Sequence, residues 1–394
     1  MGKWEEVKLG DGKVTELIMG QSPPSNTYNR EKIGLPFYQG KKEFGELYPT
    51  VEKWCSKPNK IAESGDVLLS VRAPVGPTNL AFEKCCIGRG LASIRPNLDL
   101  IETKFLLYYF QNFELEISSK GQGSTFKAIS GKELRNLQIP LPPLPEQQRI
   151  VAKLDGLFAK IDKAIGLLEA NILHTQALMG SVLDEEFGKL EKLSTKYDKL
   201  KNLTKKIGSG STPRGGQSSY KESGISLIRS MNVHDCYFKV KNLAFIDDIQ
   251  ADKLKNVEIQ ENDVLLNITG ASVARCCIVD SNYLPARVNQ HVSIIRTDER
   301  ILPEFMLYFL ISPKMKSKLL YDSSGNATRE AITKSMIEAI DVPIISLEIQ
   351  QKLINKIKES FRLNNKIIET QTQKLTHLKA LKSSLLDQAF KGEL

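Results

Sequence analysis

The stretch PLPPLPEQQRIVAKLDGLFAKID, Pro140 to Asp162, returns in altered form as PIISLEIQQKLINKIKESFRLNN, Pro343 to Asn365. Gln147-Gln148 and Gln350-Gln351 hold the same place in the two copies, 203 residues apart. A proline-rich exit that runs into a helical pattern, used twice at that distance, requires two large units that each end in the same device.

The rest of the chain follows the same order twice. GQSPPSNTYNREKIGLPFYQG (Gly20 to Gly40) matches GSTPRGGQSSYKESGISLIRS (Gly210 to Ser230), with Pro23 on Pro213 and Gly34 on Gly224. GDVLLSVRAPVG matches NDVLLNITGASV, with Asp66 on Asp263. KCCI at Lys84 to Ile87 matches RCCI at Arg275 to Ile278, and LASIRPN matches VSIIRTD. FLLYYF at Phe105 matches FMLYFL at Phe305, and GSTFKAIS at Gly123 matches NATREAIT at Asn326. The offset drifts as loop insertions would make it, then settles at 203 from Gly123 onward.

Short β-rich runs such as DVLLSV, DVLLNI and VSIIR, punctuated by Gly, Pro and Asn, alternate with helical segments near Phe105 and Phe305. The fold class expected is α+β: two mixed α/β domains, residues 1–144 and 191–347, each followed by one long helix, residues 145–190 and 348–394. Pro145 is tolerated in a first helical turn, and Ser346 is an expected N-cap. The first helix shows a heptad seam at Ile150, Leu154, Leu157, Ile161, Ala164, Leu168, Thr175, Leu178 and Val182, with Asn171 in place of an apolar residue. The second shows Leu353, Ile357, Asn364, Ile367, Gln371, Leu378, Leu381 and Leu385, its polar members lowering stability and fixing register. Connectivity requires the helices to pair antiparallel as a coiled coil, with a domain at either end and an internal pseudo-two-fold. A helix of about forty residues spans roughly 60 Å.

DNA carries its own dyad, and a reader with two related but unequal heads suits a bipartite, asymmetric target. The formal net charge of +9 fits a nucleic-acid partner, although a basic surface without a specific role has the same charge. No apolar run approaches a membrane span, and the charged start MGKWEEVKLGDG lacks a signal core, so a cytoplasmic location is expected. Glu6 stands where N-myristoylation prefers Ser or Thr. The six cysteines form no C-x-x-C pair, which speaks against zinc ribbons and points to reduced thiols. In each adjacent pair, Cys85-Cys86 and Cys276-Cys277, one thiol is expected in the core. No metal site is expected, and the four histidines show no ligand spacing.

The proline-to-EQQRIV junction, SVRAPVGP, LNITGASVARC with VNQHVSIIR, and the terminal LLDQAFKGEL together resemble the specificity subunit of a type I restriction–modification system. The resemblance covers essentially the whole chain. It implies two target recognition domains, two conserved helical regions and no catalytic centre in this chain. It also implies partners: double-stranded DNA with a bipartite target, two methyltransferase subunits that bind S-adenosylmethionine and methylate adenine at N6, and motor–nuclease restriction subunits. No cofactor is expected in this chain. The residues agree on what is absent: there is no Asp/Asn-Pro-Pro-Tyr motif, no Pro-Asp dipeptide, and IGSGSTPRGG lacks Gly-Lys-Ser/Thr. In the family this stretch is the G-S/T-P loop; a plain flexible turn is the competing reading.

Base readout needs Arg, Lys, Asn, Gln or hydroxyl side chains held on loops. The candidates are Arg72, Arg89, Gln122, Ser124, Thr125 and Lys127 in the first domain. In the second they are Arg214, Arg229, Asn232, Arg275, Arg287, Asn289, Gln290, Asn326 and Arg329. His291 is open to a DNA-facing or a packed role. Asp66 and Asp263 are expected to be turn residues, and Phe158 and Phe361 packing residues. A self-contained methyltransferase or restriction enzyme lacks its motifs here, and a coiled-coil adaptor without DNA leaves two unequal heads unexplained.

Overall fold

The computed structural model describes residues 4–119, 128–193, 196–324 and 331–394. It divides into two compact units, Met1–Glu169 with Gln373–Leu394, and Ala170–Thr372. Each unit takes the globular part of one repeat, the start of the helix that follows it, and the end of the other long helix.

In the first unit a four-stranded antiparallel sheet runs Thr15–Met19, Leu91–Pro96, Val67–Ser70, Thr78–Leu80. Strand Val67–Ser70 alternates sides, so Val67 and Leu69 enter the main core while Leu68 enters a second, smaller one. A mixed five-stranded sheet lies beyond, with Leu35–Tyr38 parallel to Cys85–Ile87. In the second unit the four-stranded sheet runs Thr204–Ser209, Val292–Thr297, Val264–Asn267, Cys276–Ile278. Its mixed sheet places Ile225–Ile228 parallel to Ala286–Val288. Both repeats therefore build the same four-stranded sheet beside a mixed sheet with one parallel pair, of five strands in the first unit and three in the second.

This topology corrects one expected match. Cys85–Ile87 is the parallel strand of its unit, whose counterpart is Ala286–Val288, not Cys276–Ile278. Cys276–Ile278 instead corresponds to Thr78–Leu80, antiparallel to the central strand. The shared CCI tripeptide is a coincidence between two neighbouring buried strands. Both members of each Cys pair are buried, because these sheets are covered on both faces. Burial pushes the thiols of Cys85, Cys86 and Cys277 up to about 12, which keeps them neutral.

The turn before each central strand is built the same way. Asp66 and Asp263 are buried, and each accepts a backbone N–H three residues back, from Glu63 at 2.9 Å and Gln260 at 2.7 Å. Gly65 and Asn262 supply the left-handed backbone that this turn needs. Arg95 and Arg296 close over these carboxylates in bidentate fashion. The turn role expected for both aspartates is what the structure shows.

The first long helix is Leu144–Leu193 and the second Leu347–Lys391. Pro145 lies in a first turn, and the Ile349 N–H donates to Ser346 Oγ at 3.4 Å. Gln147 and Gln350 answer the question the repeat raises. Both are fully buried. Gln147 accepts from the Glu102 N–H at 2.8 Å and donates to the Leu100 and Pro142 carbonyls. Gln350 accepts from the Leu302 N–H at 2.8 Å and donates to the Arg300 and Ile345 carbonyls. One amide thus ties the helix start to the loop that enters the domain's buried helix, Thr103–Asn112 or Pro303–Ile311. Gln350→Leu keeps the bulk but takes the partner from three part-buried backbone groups. At about 1–3 kcal/mol for such a group, a loss of about 2–4 kcal/mol is expected in the denaturation of the second unit. A change below about 0.5 kcal/mol would show that the amide is dispensable.

Within each unit the helices pair antiparallel. Asp162 meets Lys382 at 2.7 Å and Glu169 meets Lys379 at 3.7 Å in the first, and Glu186 meets Lys356 at 2.8 Å in the second. Burial raises the Glu186 carboxyl, but hydrogen bonds from Lys356 and Lys189 outweigh it and hold the group below its ordinary value. The heptad seam needs correction past its middle. Leu178, Ile367 and Leu381 are exposed, whereas Met179 is buried and Ile172 and Ile368 are half-buried. The inward stripe advances by about 3.6 residues per turn, and a strict 3.5-residue pattern drifts off it by about 20° per heptad. Asn364 is buried in the stripe and Gln371 half-buried, as expected.

The helices also complete the cores. In the first unit Ile150, Leu154, Phe158 and Ile161 join Leu386 and Ala389 in the main cluster. Phe390 lies 5.2 Å from Phe105 and 5.7 Å from Tyr109 between ring centroids. In the second unit Phe187 takes that place, 5.6 Å from both Phe305 and Phe309. Phe158 and Phe361 pack on Tyr108 and Tyr308.

Candidate nucleic-acid interface

Three loops converge at one end of the four-stranded sheet in each unit. In the second unit they are the Gly210–Pro213 loop, the turn after strand Val264–Asn267, and the loop Asn289–His291. The Gly210 N–H donates to the Asn289 carbonyl at 3.1 Å, and the Ile268 N–H to the His291 carbonyl at 3.0 Å. Side chains then form a chain: the Thr212 hydroxyl donates to Gln290 Oε1, Gln290 Nε2 meets His291 Nε2 at 3.1 Å, and His291 Nδ1 meets the Thr269 hydroxyl. Asn267 holds the turn from below, donating to the Ser230 carbonyl and Ser272. Ser230, Thr269, Ser272, Arg275 and His291 surround an open concavity of about 400 Å³. Beside it His234 stacks on Tyr237 at 4.7 Å. Burial, Arg275 and Lys239 hold His234 below its ordinary value, so it stays neutral in this basic setting.

The first unit repeats the scaffold with other side chains. The Gly20 N–H donates to the Leu91 carbonyl at 2.9 Å, and the Arg89 N–H to Ser22 Oγ at 3.2 Å. Ser70 braces the turn after the central strand through the Arg72 and Pro74 carbonyls. Arg72 bridges Ala128 as Thr269 bridges Ala331. By sheet register and these contacts, Ser22 corresponds to Thr212, Arg72 to Thr269, Arg89 to Gln290 and Gly90 to His291. Gly90 is required by close approach: a Cβ there would stand 2.2 Å from the Gln39 carbonyl oxygen. Gly34 and Gly224, matched from the sequence, both have positive φ, of 90° and 136°.

The candidates divide accordingly. Arg72, Arg89, Arg214 and Gln290 are exposed on these loops, and Arg275 is half-exposed at the rim. Arg229 is partly committed to structure, donating to the Asn242 carbonyl at 2.5 Å with its guanidinium 5.2 Å from the Tyr220 ring. Three candidates are corrected. Asn232 is buried, accepting from the Arg229 N–H and donating to the Lys239 carbonyl. Arg287 is buried on a strand, bound to the Ala251 and Ala286 carbonyls and Glu258. Asn289 is buried and accepts from the His291 N–H. Each supports the loops from inside, because a polar side chain in a turn or buried strand satisfies the backbone around it. Gln122, Ser124, Thr125, Lys127, Asn326 and Arg329 lie outside the described residues. Thr212, Thr269 and Ser22 were not among the candidates; the match of the G-S/T-P loops was the signal for Ser22 and Thr212, and the match of Thr269 with the candidate Arg72 the signal for Thr269.

Among the described residues no group of acidic, His or Cys side chains could hold a metal ion, and no helix is long and apolar enough to cross a membrane. What the fold and the loops define is a twice-built α/β recognition protein, braced by two long helices. The chain belongs to the family of the type I restriction modification DNA specificity domain, whose model matches residues 1–169 and again 196–377. Its relatives include the EcoBI specificity subunit of a type I restriction enzyme from Escherichia coli, 24% identical over 419 residues, covering 98% of this chain and 86% of that one. Another is the MjaX specificity subunit from Methanocaldococcus jannaschii, 48% identical over 154 residues. That match covers 39% of this chain and spans only 36% of the relative. A chain from a solved type I restriction–modification assembly has the same fold, with a TM-score of 0.76 at 21% identity, covering 100% of this chain and 98% of that one. Relatives that match nearly the whole chain are thus specificity subunits of type I restriction enzymes.

Proposed function

We propose that each unit reads one half of a bipartite, asymmetric DNA target through its three-loop cluster. The observation that carries this reading is the pair of matching clusters with unlike side chains: Ser22, Arg72 and Arg89 in one, Thr212, Thr269 and Gln290 in the other. An identical scaffold with different hydrogen-bonding groups suits two different half-motifs. Arg89 suits the O6 and N7 acceptors of guanine, and Gln290 the N6 and N7 groups of adenine. Residues 1–144 and 191–347 act as the recognition domains, with the helical regions 145–190 and 348–394 setting the unread spacer. The helices and adjoining surfaces dock two methyltransferase subunits, which bind S-adenosylmethionine and methylate adenine N6. Motor–nuclease subunits complete the restriction enzyme, which acts on DNA in the cytoplasm.

The test is methylation-site mapping with the chain assembled with its methyltransferase. Arg89→Ala should relax one position in one half-motif, and Gln290→Ala one in the other. Each good bidentate contact discriminates by about 1–3 kcal/mol, so the loss should be roughly 5- to 150-fold. If either substitution relaxed both halves, or if neither changed the motif, this assignment would fall.

A further inference from the structure

The two units differ in charge beside the reading loops. In the second unit Lys201, Lys205, Lys206 and Lys334 line an open groove of about 640 Å³ that also takes in Ser209 and Asn256. Two carboxylates answer these four ammonium groups: Glu299 pairs with Lys205, and Glu338 with Lys334 at 3.5 Å. Lys206 donates to the neutral Asn256 carbonyl, and Lys201 is exposed and has no ion pair among the described residues.

The first unit does not carry these lysines at the corresponding positions. Leu9 and Leu200 occupy one position, their N–H groups donating to Leu137 and Ile340 at 2.8 Å. Gly10 therefore stands where the second unit has Lys201. The sheet register that matches Arg95 with Arg296 puts Glu16 in the place of Lys206, and Glu16 binds Arg95 at 2.8 Å. The capped turns at Ser130 and Thr333 put Gly131 in the place of Lys334 and Arg135 in that of Glu338. The space beside these two glycines is occupied. A Cβ on Gly10 would lie 2.5 Å from Arg135 Cβ, and one on Gly131 would lie 3.0 Å from Met19 Cγ. Gly, Glu and Gly in one unit are thus three lysines in the other.

The groove opens directly onto the reading loops. Ile268 and Ser293 line it, Thr269 follows Ile268, and Ser209 leads into the Gly210–Pro213 loop. We infer that this groove binds the sugar–phosphate backbone next to the half-site read by the second unit, so that this unit holds DNA more through phosphates than the first does. The inference rests on the proposed reading of DNA by the same loops. A run of ammonium groups with neutral donors, along an edge that adjoins base-reading side chains, matches a polymer with one negative charge per nucleotide.

The experiment uses the full chain co-purified with its methyltransferase subunits and a short duplex carrying the methylated motif. The variant is K201A/K206A/K334A, all at exposed or half-buried positions. Affinity is measured across a salt series. The slope of log K against log salt should fall by about three, close to one per phosphate-binding lysine, and the mapped motif should stay the same. The arginine variant K201R/K206R/K334R should keep the parental slope. An unchanged slope in the alanine variant, while the parent binds its motif, overturns the groove and leaves the reading of DNA standing. Failure of the variant to co-purify with methyltransferase, when the arginine variant does, would make the groove a protein-docking surface and also overturn it. Failure of the parent to bind its motif would sink the reading of DNA itself, and the groove with it.

Discussion

Asp263→Ala is expected to cost the second unit about 3–5 kcal/mol, the range for removing one partner of a buried ion pair. Asp263 is fully buried and accepts two hydrogen bonds from Arg296 and one from the Gln260 N–H. Without it Arg296 keeps, among the described residues, the Glu258 carbonyl at 3.1 Å. The matching change in the first unit, Asp66→Ala, should cost less, because Arg95 retains Glu16 at 2.8 Å and is more exposed. Denaturant midpoints of the two variants, followed by probes in each unit, measure the difference. Equal losses below about 1 kcal/mol would show that the clamp does not hold the turn.

The other large effect concerns exchange of recognition domains. Replacing residues 1–144 with the counterpart from a relative that reads a different target should change one half of the motif and leave the other intact. Specific binding exceeds non-specific binding by about 10³-fold or more, so the old half-site should lose at least most of that advantage. The structure adds a condition. The first unit is closed by Leu386, Ala389 and Phe390 from the second helix, against Phe105 and Tyr109. A donor that lacks large side chains at those two positions should give an unstable chimera, rescued when they are restored. Methylation mapping reads the outcome, and a chimera that changes both half-motifs would refute independent readout.

The repeat, the junction and the antiparallel helices were legible because they rest on local patterns: proline before a helix, apolar periodicity, and matched glycines at positive φ. Gln147 and Gln350 were visible as a matched pair, but their role needs the carbonyls of Leu100 and Arg300, which no local pattern brings near. The CCI match misled because neighbouring buried strands select the same small apolar side chains, so composition does not tell one from the other. The heptad reading failed near Asn171 because a straight helix leaves a 3.5-residue frame after a few turns. Among candidate readers, Arg89 and Gln290 stand exposed at loop tips, while Arg287 and Asn289, close to Gln290 in sequence, face inward. Residue type selects for hydrogen bonding in either case, and only strand register decides between base and backbone. The lysine groove was overlooked because Lys201, Lys206 and Lys334 come from a turn, a strand and a helix, and read singly as solvated charge.

The closing of the first unit by residues near Phe390 bears on how the chain is made. Residues 170–372 form one uninterrupted stretch, so the second unit has all its parts before residues 373–394, which finish the first, are made. The first unit, begun earliest, waits for Leu386, Ala389 and Phe390. At about 5–20 residues per second, that wait lasts on the order of tens of seconds. During it the faces of Phe105 and Tyr109 that Phe390 covers lack that partner. Order of synthesis and order of completion are therefore inverted, and a premature stop late in the message damages the half that was translated first.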